Sequence, residues 1–144
     1  MIRVQKEDFD ISEEISSLNR RNVGALASFV GVVRDSNNEI TAMTLEHYPG
    51  MTEKKLAEIE TEARRRWNLQ DCLIIHRYGR LEPGDNIVMV IAASRHRQSA
   101  LEACAFLIDW LKTKAPFWKF EQKLEGGKWV DALIEDEKTT SKWT

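Results

Sequence analysis

Ile87 to Ala93, the run IVMVIAA, is apolar at every position, without the polar alternation of a half-solvated strand. Such a run suits a strand buried on both faces, which puts a sheet at the centre of the fold. Cys72 to Tyr78 reads as a second core strand, joined to the first through the turn residues Glu82-Pro-Gly-Asp85. At 144 residues the chain can bury roughly 70% of the surface its unfolded form exposes, enough for a core of its own. Its 42% hydrophobic and 31% charged residues, with no repeat or low-complexity tract, predict a single domain over 1–144. The polar stretch from about residue 135 is expected to be mobile or held by a partner.

The remaining elements follow from periodicity and capping. Asp10-Ile-Ser-Glu13 predicts a helix start, with Asp10 as acceptor and Glu13 reaching back, and Ile15 and Leu18 share one face of a short helix ending near Arg20. Residues 22–34, NVGALASFVGVVR, are punctuated by Gly24 and Gly31 and predict a long bent strand, followed by a loop at Asp35 to Asn38. Ile40 to His47 is extended again, and Pro49-Gly50 closes it. Thr52 to Trp67 carries Leu56, Ile59 and Ala63 at helical spacing, with Glu53 in its first turn and Arg64 to Arg66 in its last, as the helix dipole favours. A second long helix from about Arg97 to Lys114 has Leu101, Cys104, Ile108 and Leu111 as its expected buried stripe, until Pro116 ends it and pushes Ala115 towards extended geometry. Residues 117–124 read as a strand, and Lys128 to Ile134, after Gly126-Gly127, as its hairpin partner. Strands and helices mix without strict alternation, which predicts an α+β fold with a mixed sheet.

Several function classes lose support. A net charge of −2 argues against a general nucleic-acid coat, because phosphate binding over the whole surface needs an excess of Lys and Arg. There is no secretory h-region and no apolar run long enough to span a bilayer, so no membrane association is expected and a cytoplasmic setting is. Cys72 and Cys104 lack the paired spacing of a zinc or redox motif and read as small buried apolar residues. No His, Cys or Asp set has metal-ligand spacing, and neither a phosphate loop nor a dinucleotide fingerprint occurs, so no metal and no cofactor is expected.

Two basic clusters remain. In LKTKAPFWKFE (111–121), strand periodicity puts Phe117, Lys119, Glu121 and Lys123 on one face and Trp118 and Phe120 on the other. The Pro116 corner could bring Lys112 and Lys119 to one pocket mouth; alternatively both are snorkelling lysines whose stems cover aromatic surface. Ser94-Arg95-His96-Arg97 stands where the buried strand gives way to a helix, and cations in a first turn oppose the helix dipole unless an anion sits nearby. A solvated basic loop is the other reading of that cluster. Arg34 leaves the first long strand, and His47 and His76 near strand ends read as hydrogen-bonded structural residues.

Five segments taken together, SFVGVVR (28–34), LEHYPGMTEKKL (45–56), IIHRYGRLEPGD (74–85), SRHR (94–97) and DWLKTKAPFWKFE (109–121), resemble the large, catalytic subunit of molybdopterin synthase. The resemblance runs in order from about residue 22 to residue 132. It implies an α/β hammerhead-like mixed sheet with helices on one side and an added antiparallel subdomain. It implies a sulfurtransferase that takes sulfur from the C-terminal Gly-Gly thiocarboxylate of a small ubiquitin-like carrier subunit and delivers it to cyclic pyranopterin monophosphate. The product is the dithiolene of molybdopterin, and two large subunits form a homodimer within a heterotetramer.

The positions that match the family's site are Arg34 with Val32 and Val33, His96 and Arg97, Lys112, and Lys119 with Phe120 and Glu121. Lys112 is expected to grip the carrier's tail. Lys119 is expected to do acid/base and electrostatic work, a role for which burial would have to lower its pKa. Sulfur comes from the partner, so neither cysteine is required. The loop at Asp35 to Asn38 is short for the family, and Phe120 stands where a polar or basic residue is expected.

Overall fold

The computed structural model describes residues 1–35, 40–123, 126–130, 140, 141 and 143. The apolar run lies in β6 (Asn86–Ser94), buried from Ile87 onward. It pairs antiparallel with β4 (Leu69–Arg77) on one side and with β2 (Ala25–Val32) on the other. A strand not anticipated from sequence, β1 (Ile2–Gln5), adds parallel to β4 through Ile2 opposite Ile74, giving a mixed sheet in the order β1-β4-β6-β2. β2 is shorter than the expected 22–34 stretch, and its bend is a register shift between Gly31 and Val32.

Alternate side chains of this sheet serve two cores. Cys72, Ile74, Val88, Val90 and Ala92 pack with α2 (Met51–Arg66) and α3 (Arg97–Lys114). Leu73, Ile75, Met89 and Ile91 pack with Phe9 and with Ile15 and Leu18 around α1 (Ile11–Ser17). The two long helices therefore share one side, while the short α1 closes the other, as a strand apolar on both faces requires. Each fully buried Ile or Val in β6 contributes roughly 1.5–3 kcal/mol of apolar burial.

The helix signals hold with two exceptions: α1 ends at Ser17 instead of near Arg20, with Leu18 already extended, and the buried stripe of α3 differs in part. Asp10 Oδ1 accepts the Glu13 N–H at 3.0 Å, capping α1 as expected. In α2, Leu56, Ile59 and Ala63 are buried, and Glu53 reaches back to accept the Gly50 N–H at 2.5 Å. Arg64 and Arg66 in its last turn pair with Glu60 and Glu62 at 3.0 and 2.9 Å. In α3 the buried stripe is Ala100, Ala103, Cys104, Leu107 and Leu111, while Leu101 is 62% exposed. The expected stripe of Leu101, Cys104, Ile108 and Leu111 is thus rotated, because two alanines let the helix approach the sheet more closely than leucine would allow.

A second sheet is antiparallel throughout, with β3 (Ile40–His47) between β5 (Gly79–Leu81) and β7 (Phe117–Lys123), and β8 (Gly126–Val130) on the far side of β7. β5 was not anticipated, and β8 begins two residues before Lys128 because the glycines themselves pair, Gly126 with Lys123 and Gly127 with Gln122. Ser36 to Asn38 of the expected loop, residues 131–134 of the expected hairpin strand, and residues 135–139 lie outside the described residues.

The expectation of a mobile or partner-held tail is amended at its described end. Thr140 is buried and donates to the Asp109 carbonyl at 2.9 Å. The Trp143 ring meets Trp67 and Phe106 edge-on at 5.8 Å each, and its carbonyl accepts from Arg66 Nη1 at 2.6 Å. Among the described residues no helix is long and apolar enough to cross a membrane.

Candidate functional site

Pro116 has no N–H to continue a helix, and Ala115 before it is extended at φ −80 and ψ 133, so α3 stops and the chain turns into β7. Thr52 pins that corner. Its fully buried hydroxyl accepts the Tyr48 N–H at 3.0 Å and donates to the Pro116 carbonyl at 3.0 Å, tying the start of α2 to the end of α3.

Beyond the corner the register confirms the expected faces. Phe117 lies opposite His47, Lys119 opposite Leu45 and Glu121 opposite Met43, so these three share the face of the buried Leu45 and Met43. Trp118 and Phe120 take the other face, where Phe120 meets Trp129 edge-on at 5.2 Å and Trp118 meets Tyr48 at 4.7 Å. Phe120 therefore stands on the opposite side of the strand from Lys119 and packs within the second sheet.

His76 continues the helix-facing row of Cys72 and Ile74 and stacks on Phe117, with ring centroids 3.7 Å apart and planes inclined by 17°. Its Nδ1 lies 2.8 Å from the Arg77 carbonyl. A carbonyl oxygen only accepts, so Nδ1 carries the proton and Nε2 keeps its lone pair. Burial pushes the His76 pKa down to about 3 against the opposing pull of the Arg77 carbonyl, and the Lys112 and Lys119 ammonium groups and His47 push the same way as burial. The buried imidazole is therefore neutral, and both ammonium groups act on it through space. His47 completes the cluster, its ring 4.2 Å from Tyr78 and its Nε2 3.6 Å from Glu53.

Lys112 also lines a narrow crevice with Phe29, Val88, Val90, Ile108 and Leu111. Val88 pairs with both Gly31 and His76, so this is the end of the mixed sheet at which β2 gives way to Arg34. Arg34 is exposed there. Val33 beside it is buried, and its backbone is bonded to Asp85 and Gly84 at 2.9 Å, whereas Val32 is 48% exposed.

His96 and Arg97 are elsewhere. Both are exposed at the start of α3, where no acidic residue occupies the first turn and the His96 side chain makes no cap. Fifteen residues of helix separate Arg97 from Lys112, about 22 Å at the α-helical rise. Arg34 is just as remote: Ala25 pairs with Ser94 and Val32 with Asn86, so β2 spans about 24 Å between the two basic ends. Gly24 shapes the far end, because a Cβ there would lie 2.1 Å from the Arg95 carbonyl oxygen. Within one chain, the predicted residues thus divide into Lys112, Lys119, Glu121 and Arg34 at one end and His96 and Arg97 at the other.

A cleft of about 380 Å³ lies on the outer side of the corner and is lined by Met51, Lys54, Lys55, Glu58, Lys114 and Pro116. Burial pushes the thiol of Cys72 up to about 12 and that of Cys104 up to about 11, so neither is a ready nucleophile. His76, His47 and Phe117 each lie in a segment that carries the family resemblance, and both histidines stand near strand ends, but nothing in the sequence says that the three meet.

Known proteins resemble this chain along nearly its whole length. The family model described as MoaE protein matches residues 4–114. A molybdopterin synthase catalytic subunit from Ralstonia nicotianae is 53% identical over 99% of this chain and 83% of its own length. The solved structure of a molybdopterin biosynthesis MoaE protein from Burkholderia ambifaria superposes with a TM-score of 0.85 at 51% identity, covering 99% of this chain and 96% of that one. The crystal structure of molybdopterin synthase from Staphylococcus aureus reaches a TM-score of 0.83 at 30% identity, covering 90% of this chain and 96% of that one. With this degree of likeness along nearly its whole length, the chain belongs to the MoaE family, the catalytic subunits of molybdopterin synthase.

Proposed function

We propose that the chain is a cytoplasmic sulfurtransferase that moves sulfur from the thiocarboxylated Gly-Gly C-terminus of a small ubiquitin-like carrier to cyclic pyranopterin monophosphate, building the dithiolene of molybdopterin. The observation that carries this reading is the Pro116 corner, which turns α3 with Lys112 into β7 with Lys119 facing the buried side of its sheet. The carrier's terminal sulfur attacks a substrate carbon and breaks that carbon's bond to an oxygen substituent, which leaves with the electron pair and takes up a proton, so that a thioester joins carrier and substrate. Water then attacks the acyl carbon, the carrier departs as a carboxylate, and the sulfur stays on the substrate as a thiolate. A second loaded carrier repeats the sequence.

Hydrolysis of the thioester passes through a tetrahedral oxyanion, which preorganised cations stabilise far better in a sheltered site than in water. Lys112 grips the tail, and Lys119, held between Leu45 and Val130 on a paired strand, serves the reacting centre. Arg34 supplies a cation for the phosphate from the same end of the sheet. His96 and Arg97 are too far away to touch a substrate bound by Lys119 of the same chain, so their part requires a second copy, consistent with the homodimer the family resemblance implies. The cationic cleft of Lys54, Lys55 and Lys114 offers an approach for an acidic partner.

The test mixes the purified chain with thiocarboxylated carrier and cyclic pyranopterin monophosphate and follows dithiolene product by mass spectrometry. Lys119→Ala is expected to lose about 10²–10³-fold in turnover while still binding carrier. Unchanged turnover, or a loss confined to carrier affinity, refutes the catalytic assignment.

A further inference from the structure

The two lysines come from different layers of the molecule. Lys112 rides on α3, which packs on the mixed sheet; Lys119 rides on β7, in the antiparallel sheet. Their relative position is set by whatever joins the two sheets near the corner. That junction is aromatic: His76 from β4 stacks on Phe117 from β7 at 3.7 Å, and His47 from β3 stands 6.4 Å from Phe117 and 4.2 Å from Tyr78. His76 is itself fixed, only 5% exposed and bonded through Nδ1 to its own strand's Arg77 carbonyl. Phe117 lies two residues before Lys119 on the same face of β7, so its ring sets the height and tilt of the strand where the lysine emerges.

We propose that His76 is a positioning residue for sulfur transfer: its stack on Phe117 across the seam between the two sheets holds Lys119 in register with Lys112. An aliphatic side chain could fill the volume. A flat ring stacked on Phe117 also fixes the angle at which Phe117, and with it β7, meets the mixed sheet. Displacements near 1 Å at a reacting group can cost on the order of a hundredfold in rate, so the seam lies on the catalytic coordinate although it touches no substrate. This inference rests on the sulfur-transfer reading for its kinetic readout, and a second readout is independent of that reading.

Four variants of the full chain test it. His76→Asn keeps an N–H for the Arg77 carbonyl and removes the ring; Phe117→Leu removes the stack from the other side; the double variant removes both; His76→Phe keeps the stack alone. His76→Asn and Phe117→Leu are each expected to lower kcat about tenfold with KM little changed, and the double variant to lower it about tenfold again in total, not a hundredfold, because both delete one interaction. His76→Phe is expected to stay within about threefold of the parent. The independent readout is the yield of a Lys112–Lys119 cross-link formed by a short amine-reactive reagent and quantified by peptide mass spectrometry. It should fall in His76→Asn and Phe117→Leu and return in His76→Phe. Additive kinetic losses, a loss residing in KM, or a cross-link yield unchanged in folded variants overturns the proposal. Should His76→Asn fail to fold, Phe117→Leu and His76→Phe decide it alone. If the parent makes no dithiolene while the cross-links follow the expected pattern, the sulfur-transfer reading falls and the positioning role stands.

Discussion

Acidification should destabilise this protein through a single buried ring. His76 has an ordinary pKa of 6.5 when the chain is unfolded and about 3 when folded, chiefly because burial disfavours its charged form. Between those values the unfolded chain takes up a proton that the folded chain refuses, so stability is complete above pH 6.5 and is lost as pH falls towards 3. Each pH unit inside that window costs about 1.4 kcal/mol, so lowering the pH from neutral to about 5 removes about 2 kcal/mol. That is a large fraction of the roughly 5–15 kcal/mol that holds a domain together. The control is His76→Phe, which keeps a ring against Phe117 and has nothing to protonate. Urea unfolding followed by fluorescence of the five tryptophans, at several pH values, gives both stability curves. The parent should lose about 2 kcal/mol more than the variant over this range, since titrations common to both cancel in the difference. Curves that stay parallel to within about half a kcal/mol would refute the burial argument and the neutral state of the ring.

Other outcomes follow from single contacts. Cys72→Ser with Cys104→Ser should leave sulfur transfer largely intact, because both thiols are buried and the carrier brings the sulfur; a folded double variant with no product would contradict this. Gly24→Ala should destabilise by about 1–3 kcal/mol, since its Cβ would press on the Arg95 backbone oxygen rather than on a side chain that can swing away; calorimetry of the variant is the check. Trp143→Ala should cost about 2 kcal/mol, less than a fully buried ring, by removing the contacts with Trp67, Phe106 and Asp109; an unchanged melting temperature would mean the tail is not docked in solution. Carrier affinity should weaken as salt rises, because an anionic tail reaches Lys112 past the cleft of Lys54, Lys55 and Lys114; titration calorimetry at two ionic strengths decides it.

Much of the fold could be read ahead of the structure, for reasons visible in particular residues. Leu56, Ile59 and Ala63 are buried as their spacing predicts, and Asp10 caps α1 as its side chain permits. The alternation of β7, with Phe117, Lys119 and Glu121 on one face, holds because a paired strand cannot change its period without losing its register. β1 escaped notice because its partner β4 is some seventy residues away and nothing local announces a parallel edge strand. In the α3 stripe Cys104 and Leu111 are buried as expected, while Leu101 and Ile108 were each misplaced by one position, because Leu101 outweighs Ala100 in hydrophobicity whereas close packing on a sheet favours the smaller residue.

Sequence alone determined the type and order of the long elements, the central strand with two buried faces, the rigid presentation of Lys119 and the family to which these motifs belong. All of these depend on backbone periods and on how neighbouring side chains divide between water and core. Only the tertiary structure decided which distant groups meet. It stacked His76 on Phe117 beside His47, and it brought the end of β2 that leads to Arg34 to the end of the mixed sheet that carries His76. Those outcomes depend on how the sheets are threaded and joined, and a solitary histidine or arginine has no period from which its eventual neighbours could be inferred.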